Sequence, residues 1–402
     1  MKVQPIKTER IHSLDSLRAI MMLLGLVIHS AITYGIVPYG DGWIMKSPNA
    51  TSLSNDYIVS FIHAFRMQIF FLVAGFFGAM LFYERQPLSM IKNRISRIVY
   101  PFLIFLFILS PLILFGFKNS KLTINGSETY DDLFAKFSDF SFLIPEYTAN
   151  LWFLYYLILI TSFSVLLAFL LKKLPNVTSV VKNTFEWIIK KPIIRILFFA
   201  VLTALLFMTM GVTRLANATG LIPEPTVFFY YLSFYLVGWV LYKSKHLLGS
   251  FKKLDFVSTF LAITLFSFQF FNRSLFNFQQ TILINSLIVW LFVFGITGLF
   301  IRFASNHSSR MRYVSDSSYW VYLIHLPLTI VIPSLIIDWP FSATAKFLIV
   351  LITTGIICFV SYHYLVRGTF IGQFLNGRKY TRRLSDIRTN EKLSNLKPAL
   401  DK

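Results

Sequence analysis

A handful of ionisable side chains stand where the sequence is otherwise apolar, and their spacing suggests chemistry. Arg18 and His29 fall in the run 17–37. At about 100° per residue, His29 returns to nearly the face of Arg18, roughly 16 Å farther along a helix. Asp15, three residues before Arg18, is placed to pair with it. His63, Arg66 and Gln68 interrupt the run 57–83, and the spacing puts His63 and Arg66 on one face. His325 stands in Tyr319-Trp-Val-Tyr-Leu-Ile-His-Leu-Pro, at a depth matching that of His29. Imidazole suits proton transfer near neutral pH. A guanidinium held in a dry site suits an anionic group. Lys92-Asn-Arg94-Ile-Ser-Arg97 adds two arginines one helical turn apart, a spacing that can grip phosphates. Each of these has a plainer alternative. The histidines could each satisfy a backbone carbonyl, Arg18 and Arg66 could snorkel to the interfaces, and Arg94 and Arg97 could be ordinary basic loop residues.

The elements that position these groups follow from composition. Of 402 residues, 55% are apolar and 14% charged, against roughly a quarter charged in a soluble domain. That excludes a soluble enzyme. The apolar residues fall into ten helix-length runs, near 17–37, 57–83, 98–117, 150–171, 193–213, 226–243, 255–271, 279–303, 318–337 and 344–366. The expected fold is all-α, a polytopic integral membrane bundle of about ten transmembrane helices.

The net charge of +20 would suggest nucleic acid in a soluble chain. Here 29 Lys and Arg residues fall in one set of alternate connections, with the two ends of the chain, and seven in the other. The positive-inside rule then puts both termini in the cytoplasm, which an even number of spans satisfies. The basic excess is read as topology plus attraction to anionic membrane lipid, with no nucleic-acid partner. The single cysteine, Cys358, lies in the last run, so no intramolecular disulfide forms. No histidines show metal-type spacing, so no metal is expected. The first run is read as a retained span, not a cleaved leader. Residues 1–370 read as one transmembrane domain and 371–402 as a basic, partly disordered cytoplasmic tail. The acidic connection 118–149 is long enough to cap an outward-facing site. Pro327 and Pro333 predict a kink or unwinding in the ninth span.

Leu14-Asp-Ser-Leu-Arg18-Ala, with ten residues between Arg18 and His29, resembles the first-span signature of the acyltransferase-3 family. Arg94-x-x-Arg97 resembles that family's cytoplasmic motif. The segments Met22-Leu-Leu-Gly, His63-Ala-Phe-Arg-Met-Gln-Ile-Phe-Phe, Leu151-Trp-Phe and Tyr322-Leu-Ile-His-Leu-Pro-Leu extend the resemblance over residues 14 to 366, closest to members that transfer succinyl groups. Many relatives carry Ser-Gly where this chain has Ala74-Gly75.

The resemblance implies an acyl-coenzyme A donor from the cytoplasm, no permanently bound cofactor, and a glycan hydroxyl acceptor outside the bacterial inner membrane. It implies His29 as the catalytic histidine, Arg18 as its motif partner, and Arg94 and Arg97 on the coenzyme's phosphates. His325 joins the catalytic set, and His63 and Arg66 the substrate-binding set. Arg66 favours an anionic acyl group such as succinyl over acetyl. The acceptor is read as a periplasmic glucan or another surface polysaccharide. A carrier for an anionic metabolite or glycan precursor would also explain a polar path through the bundle, though not the paired arginines. The oligomeric state is left open.

Overall fold

The computed structural model describes residues 11–40, 43–85, 87–125, 144–215 and 218–381. Its first four runs give α1 (His12–Ala31), α2 (Leu53–His63), α3 (Arg66–Glu84), α4 (Pro87–Arg94), α5 (Tyr100–Asn125) and α6 (Trp152–Leu171). There follow α7 (Pro175–Lys190), α8 (Pro192–Met210), α9 (Pro225–Lys243), α10 (Asp255–Phe271), α11 (Phe278–Phe303), α12 (Ser309–Leu335), α13 (Ala343–Ser361) and α14 (Phe370–Asn376). Among the described residues, nine helical stretches are long and apolar enough to cross a membrane. A tenth is made by Lys245–Lys252 and Asp255–Phe271 together, bent by 65°. The protein is a polytopic helical membrane protein. One end of the bundle carries the start of α1 and the segment 362–381 and is called the terminal end here; the other is the far end.

Two departures from the expected helices bear on function. The span 53–84 is broken inside the bundle: Ala64 and Phe65 leave the helix, with Phe65 at φ −139° and ψ −24°. His63 therefore ends α2 and Arg66 begins α3, so the two do not share the face of one continuous helix. The cause is local packing. Phe65 turns in against Phe61 and Phe292, at ring-centroid distances of 5.5 and 5.0 Å, while the Arg66 side chain is drawn to α1. The second departure is the reverse. α12 runs unbroken through Pro327 and Pro333, where unwinding is expected. Proline removes the donor that would have met the carbonyl four residues back. For Pro327 that carbonyl belongs to Leu323, and Asn150 Nδ2 donates to it at 3.4 Å.

Packing around α3 depends on glycine. A Cβ on Gly75 would run into the Tyr235 carbonyl of α9, and one on Gly238 into the Leu72 carbonyl of α3. The two backbones thus meet at a distance that only glycine allows, as small residues permit in membrane bundles. Hydrogen bonds lock neighbouring helices: Tyr235 to Thr161 at 3.2 Å, Gln68 Nε2 donating to Tyr230 at 3.1 Å, and Asn285 Nδ2 donating to the Thr213 carbonyl at 3.0 Å.

The terminal end is pinned by charge. Asp255 takes two hydrogen bonds from Arg302, at 2.7 and 3.0 Å. Arg195, 1% exposed, donates to the carbonyls of Ile189, Ser250 and Lys253 and packs its guanidinium on Phe251 and Phe294. The connection 172–195, read only as a basic loop, contains α7. This helix turns Phe185, Ile188 and Ile189 inward and leaves Val177, Val180, Val181 and Trp187 exposed. Beyond Arg367 the chain continues into α14 and folds back. Asn376 donates to the Asp316 carbonyl, and the Tyr380 hydroxyl to the Asp316 carboxylate at 2.9 Å. Burial, reinforced by Asp316, pushes the Tyr380 phenol above its ordinary range. Residues 382–402, and most of the 118–149 connection, lie outside the described residues.

Candidate active site

The centre of the bundle brings together residues from the first, second and ninth spans. His29, about one turn from the Gly25 notch on α1, faces His325 of α12 with ring centroids 5.3 Å apart and planes inclined at 44°. Matching depth therefore does reflect a shared site. His325 is 1% exposed, and its Nδ1 lies 2.8 Å from the Tyr322 carbonyl and 3.0 Å from that of Val321. Carbonyls only accept, so Nδ1 carries the proton and Nε2 is left with the lone pair. That Nε2 is buried without a partner, as is Nδ1 of His29. Two adjacent imidazoles thus each keep a buried nitrogen that no group among the described residues satisfies.

Arg66 completes the group. Its Nε donates to the Met21 carbonyl at 2.8 Å, and its guanidinium lies against Gly25, where a Cβ would collide with it. No carboxylate among the described residues pairs with it. Tyr231 and Tyr322 are its electrostatic neighbours, and both His29 and His325 lie within reach of its charge. The break before it adds a second positive feature. Among the described residues, no backbone carbonyl accepts from the N–H groups of Arg66, Met67 or Gln68, so the first turn of α3 opens inside the bundle without backbone partners for these donors. Such a turn in a membrane span is costly unless it lines a polar cavity, and it favours an anion. His63 lies across the break, with Nδ1 2.8 Å from the Val59 carbonyl and its ring exposed.

Toward the terminal end, Asp15 and Arg18 form the expected pair at 3.3 Å, and the Arg18 guanidinium also lies over the Phe77 ring. Arg94 and Arg97 do not form one grip. A π-helical turn over Ile95–Val99 widens the coil between them and turns them apart. Arg94 points inward toward Tyr235 and Arg18, with Nε and Nη2 buried and unpartnered. Arg97 turns to α14 and donates to the carbonyls of Gln373 and Phe374, both at 3.5 Å.

Two residues that the sequence reading passed over belong to the site. Trp43, from the connection after α1, stacks on His29 at 5.5 Å with planes 28° apart and donates its indole N–H to Thr33 at 3.0 Å. Its connection is fastened by α2. The Asp56 carboxylate accepts from the amides of Ile36 and Val37, and Asn55 donates to the Tyr34 carbonyl. Asn150, just before α6, donates to the Tyr322 carbonyl at 3.0 Å and accepts at its own carbonyl from the Tyr322 hydroxyl at 2.6 Å. A lone tryptophan in a loop and an asparagine before an apolar run carry no sequence signal of such roles.

Comparison with known proteins now bears on this arrangement. A family model described as an acyltransferase domain, that of acyltransferase-3, matches residues 11–363. The chain belongs to the acyltransferase-3 family. It is also similar to glucans biosynthesis protein C of Escherichia coli O1:K1 and of Escherichia coli K12, 26% identical to each over 399 residues, covering 96% of this chain and 99% of the relative. No solved structure matches. The protein is thus a multi-pass membrane acyltransferase, and family membership decides for a transferase over a carrier.

Proposed function

We propose that this enzyme moves an acyl group, succinyl in preference to acetyl, from cytoplasmic acyl-coenzyme A to hydroxyls of a periplasmic glucan or another surface polysaccharide, across the bacterial inner membrane. The observation that carries the reading is the pair of adjacent imidazoles, His29 and His325, each with a buried nitrogen that no group among the described residues satisfies. The basic bias of the connections supports the terminal end as the cytoplasmic one. Arg94 and Arg18 then stand at the cytoplasmic mouth to meet the coenzyme's phosphates, with Arg94 the inner ligand, since its donors are buried and unused. Arg97 is tied to the carbonyls of α14 through Nη1 alone, so its Nε and Nη2 can meet phosphate without breaking that tie. The pantetheine arm is long and nearly uncharged, so it enters the bundle at modest desolvation cost and brings the thioester to the histidines.

The acceptor comes from the far end, past the exposed ring of His63. His29 takes the hydroxyl proton as that oxygen attacks the thioester carbonyl. The new C–O bond forms, the C–S bond breaks, and the proton passes to the departing thiolate. Arg66 and the open first turn of α3 receive negative charge. A free carboxylate at the far end of a succinyl group fits them, whereas a neutral acetyl group would leave Arg66 unpaired. The glucan acceptor agrees with the likeness to glucans biosynthesis protein C.

The test is a transfer assay on detergent-purified enzyme, with radiolabelled succinyl- or acetyl-coenzyme A and mixed periplasmic glucans. Label should reach glycan faster from the succinyl donor. His29→Ala should lower that rate by about 10³-fold, within the range of general-base catalysis. Full transfer by well-folded His29→Ala would end this assignment.

A further inference from the structure

The His325 ring is held at the end of a short chain of hydrogen bonds that begins on another helix. We propose that Asn150 is a positioning residue for acyl transfer, fixing the tautomer and direction of His325. The inference rests on the reading of His29 and His325 as the reacting pair.

The Tyr322 carbonyl accepts twice, from His325 at 2.8 Å and from Asn150 Nδ2 at 3.0 Å. Nδ2 also lies 3.4 Å from the Leu323 carbonyl, the group that Pro327 deprives of its helical donor. In return the Tyr322 hydroxyl donates to the Asn150 carbonyl at 2.6 Å. Asn150 is therefore clasped by the segment it clasps. It follows Ala149, whose φ of 46° lies in the left-handed region that side chains with a Cβ rarely adopt. A strained residue directly before a buried amide that bonds two carbonyls of a catalytic span marks a position held for its direction.

The consequence for His325 is specific. With the Tyr322 carbonyl held in place, Nδ1 keeps the proton and the buried Nε2 keeps its lone pair beside the His29 ring. Without Asn150, the Leu323 carbonyl loses its donor and the carbonyl pair can turn. The Nε2-protonated tautomer then becomes populated, and it presents a donor where the site needs an acceptor. The role is that of the partners that orient metal-binding histidines, whose removal costs about 10- to 100-fold.

Asn150→Ala should lower kcat about tenfold or more while leaving KM for the donor near its original value. In a His325→Ala background the same substitution should cost nothing further. Nitrogen NMR of ¹⁵N-histidine-labelled enzyme should show His325 as the Nδ1-protonated tautomer, and as a mixture in Asn150→Ala. Tyr322→Phe, which keeps the carbonyl but frees the Asn150 backbone, should give a smaller loss in the same direction and serves if Asn150→Ala does not fold. An equal loss in both backgrounds, or an unchanged His325 tautomer, would overturn the proposal. His325→Ala with full activity would remove the reacting pair and the clasp together. Fully active Asn150→Ala beside inactive His325→Ala would remove the clasp alone.

Discussion

Arg195 and Arg66 are both arginines in helical spans, and the protein treats them in opposite ways. Arg195 has carbonyls of Ile189, Ser250 and Lys253 around its guanidinium and aromatic rings on both sides. Arg66 has one carbonyl, that of Met21, and a glycine cleared for it. The first is spent on holding the chain together, the second kept in reserve. The same division separates Asp255–Arg302 from His29–His325. In a bundle where every polar group carries a desolvation cost, an arginine without a carboxylate beside two adjacent histidines stands apart from one fastened by three carbonyls.

The contrast can be broken most directly by removing each arginine. Arg66→Met should lower succinyl transfer by about 10²- to 10³-fold, the cost of losing a preorganised charge donor, with little change in the thermal midpoint in detergent. Arg195→Met should do the reverse. It should lose about 2–4 kcal/mol of stability, as expected when hydrogen bonds to a buried charge are stripped, while transfer per folded molecule stays near that of the parent. Equal losses of activity in both would dissolve the distinction.

A finer test leaves Arg66 in place and moves it. Gly25→Ala puts a methyl group where the guanidinium lies, and should cost about ten- to a hundredfold in kcat/KM for the succinyl donor, in line with small misplacements elsewhere. The smallest effect is expected at Trp43. Losing an aromatic stack is worth about 0.5–1.5 kcal/mol, so Trp43→Leu should slow transfer about two- to tenfold, with Trp43→Phe between it and the parent. Steady-state rates with His29 intact measure both.

The spans were legible because apolar runs of helix length leave few alternatives, and each of the ten runs falls on an observed helical stretch, though the third and ninth stretches begin earlier than the runs, at Pro87 and Ser309. Arg18, His29 and His325 were legible as ionisable groups where such groups are rare. The break at Ala64-Phe65 was not, since neither residue is a helix breaker and packing on Phe292 and α1 decides it. Unwinding at Pro327 does not occur, and a distant amide supplies the donor that the helix lost. The different partners of Arg94 and Arg97 were not legible, since no residue between them announces the π-helical turn on which Arg97 lies. Trp43 and Asn150 act through partners far off in the chain, which one-dimensional spacing does not show.

The two facing histidines come from opposite ends of the polypeptide, about 300 residues apart. At roughly 5–20 residues per second of synthesis, the ribosome needs on the order of 15 to 60 s after making the first to make the second. For most of that interval the nascent chain carries the first imidazole and Arg66, but no facing imidazole. On the function proposed above, a donor reaching a half-built protein meets no assembled centre. Competence then arrives as a late step of biogenesis, once the ninth span has been inserted.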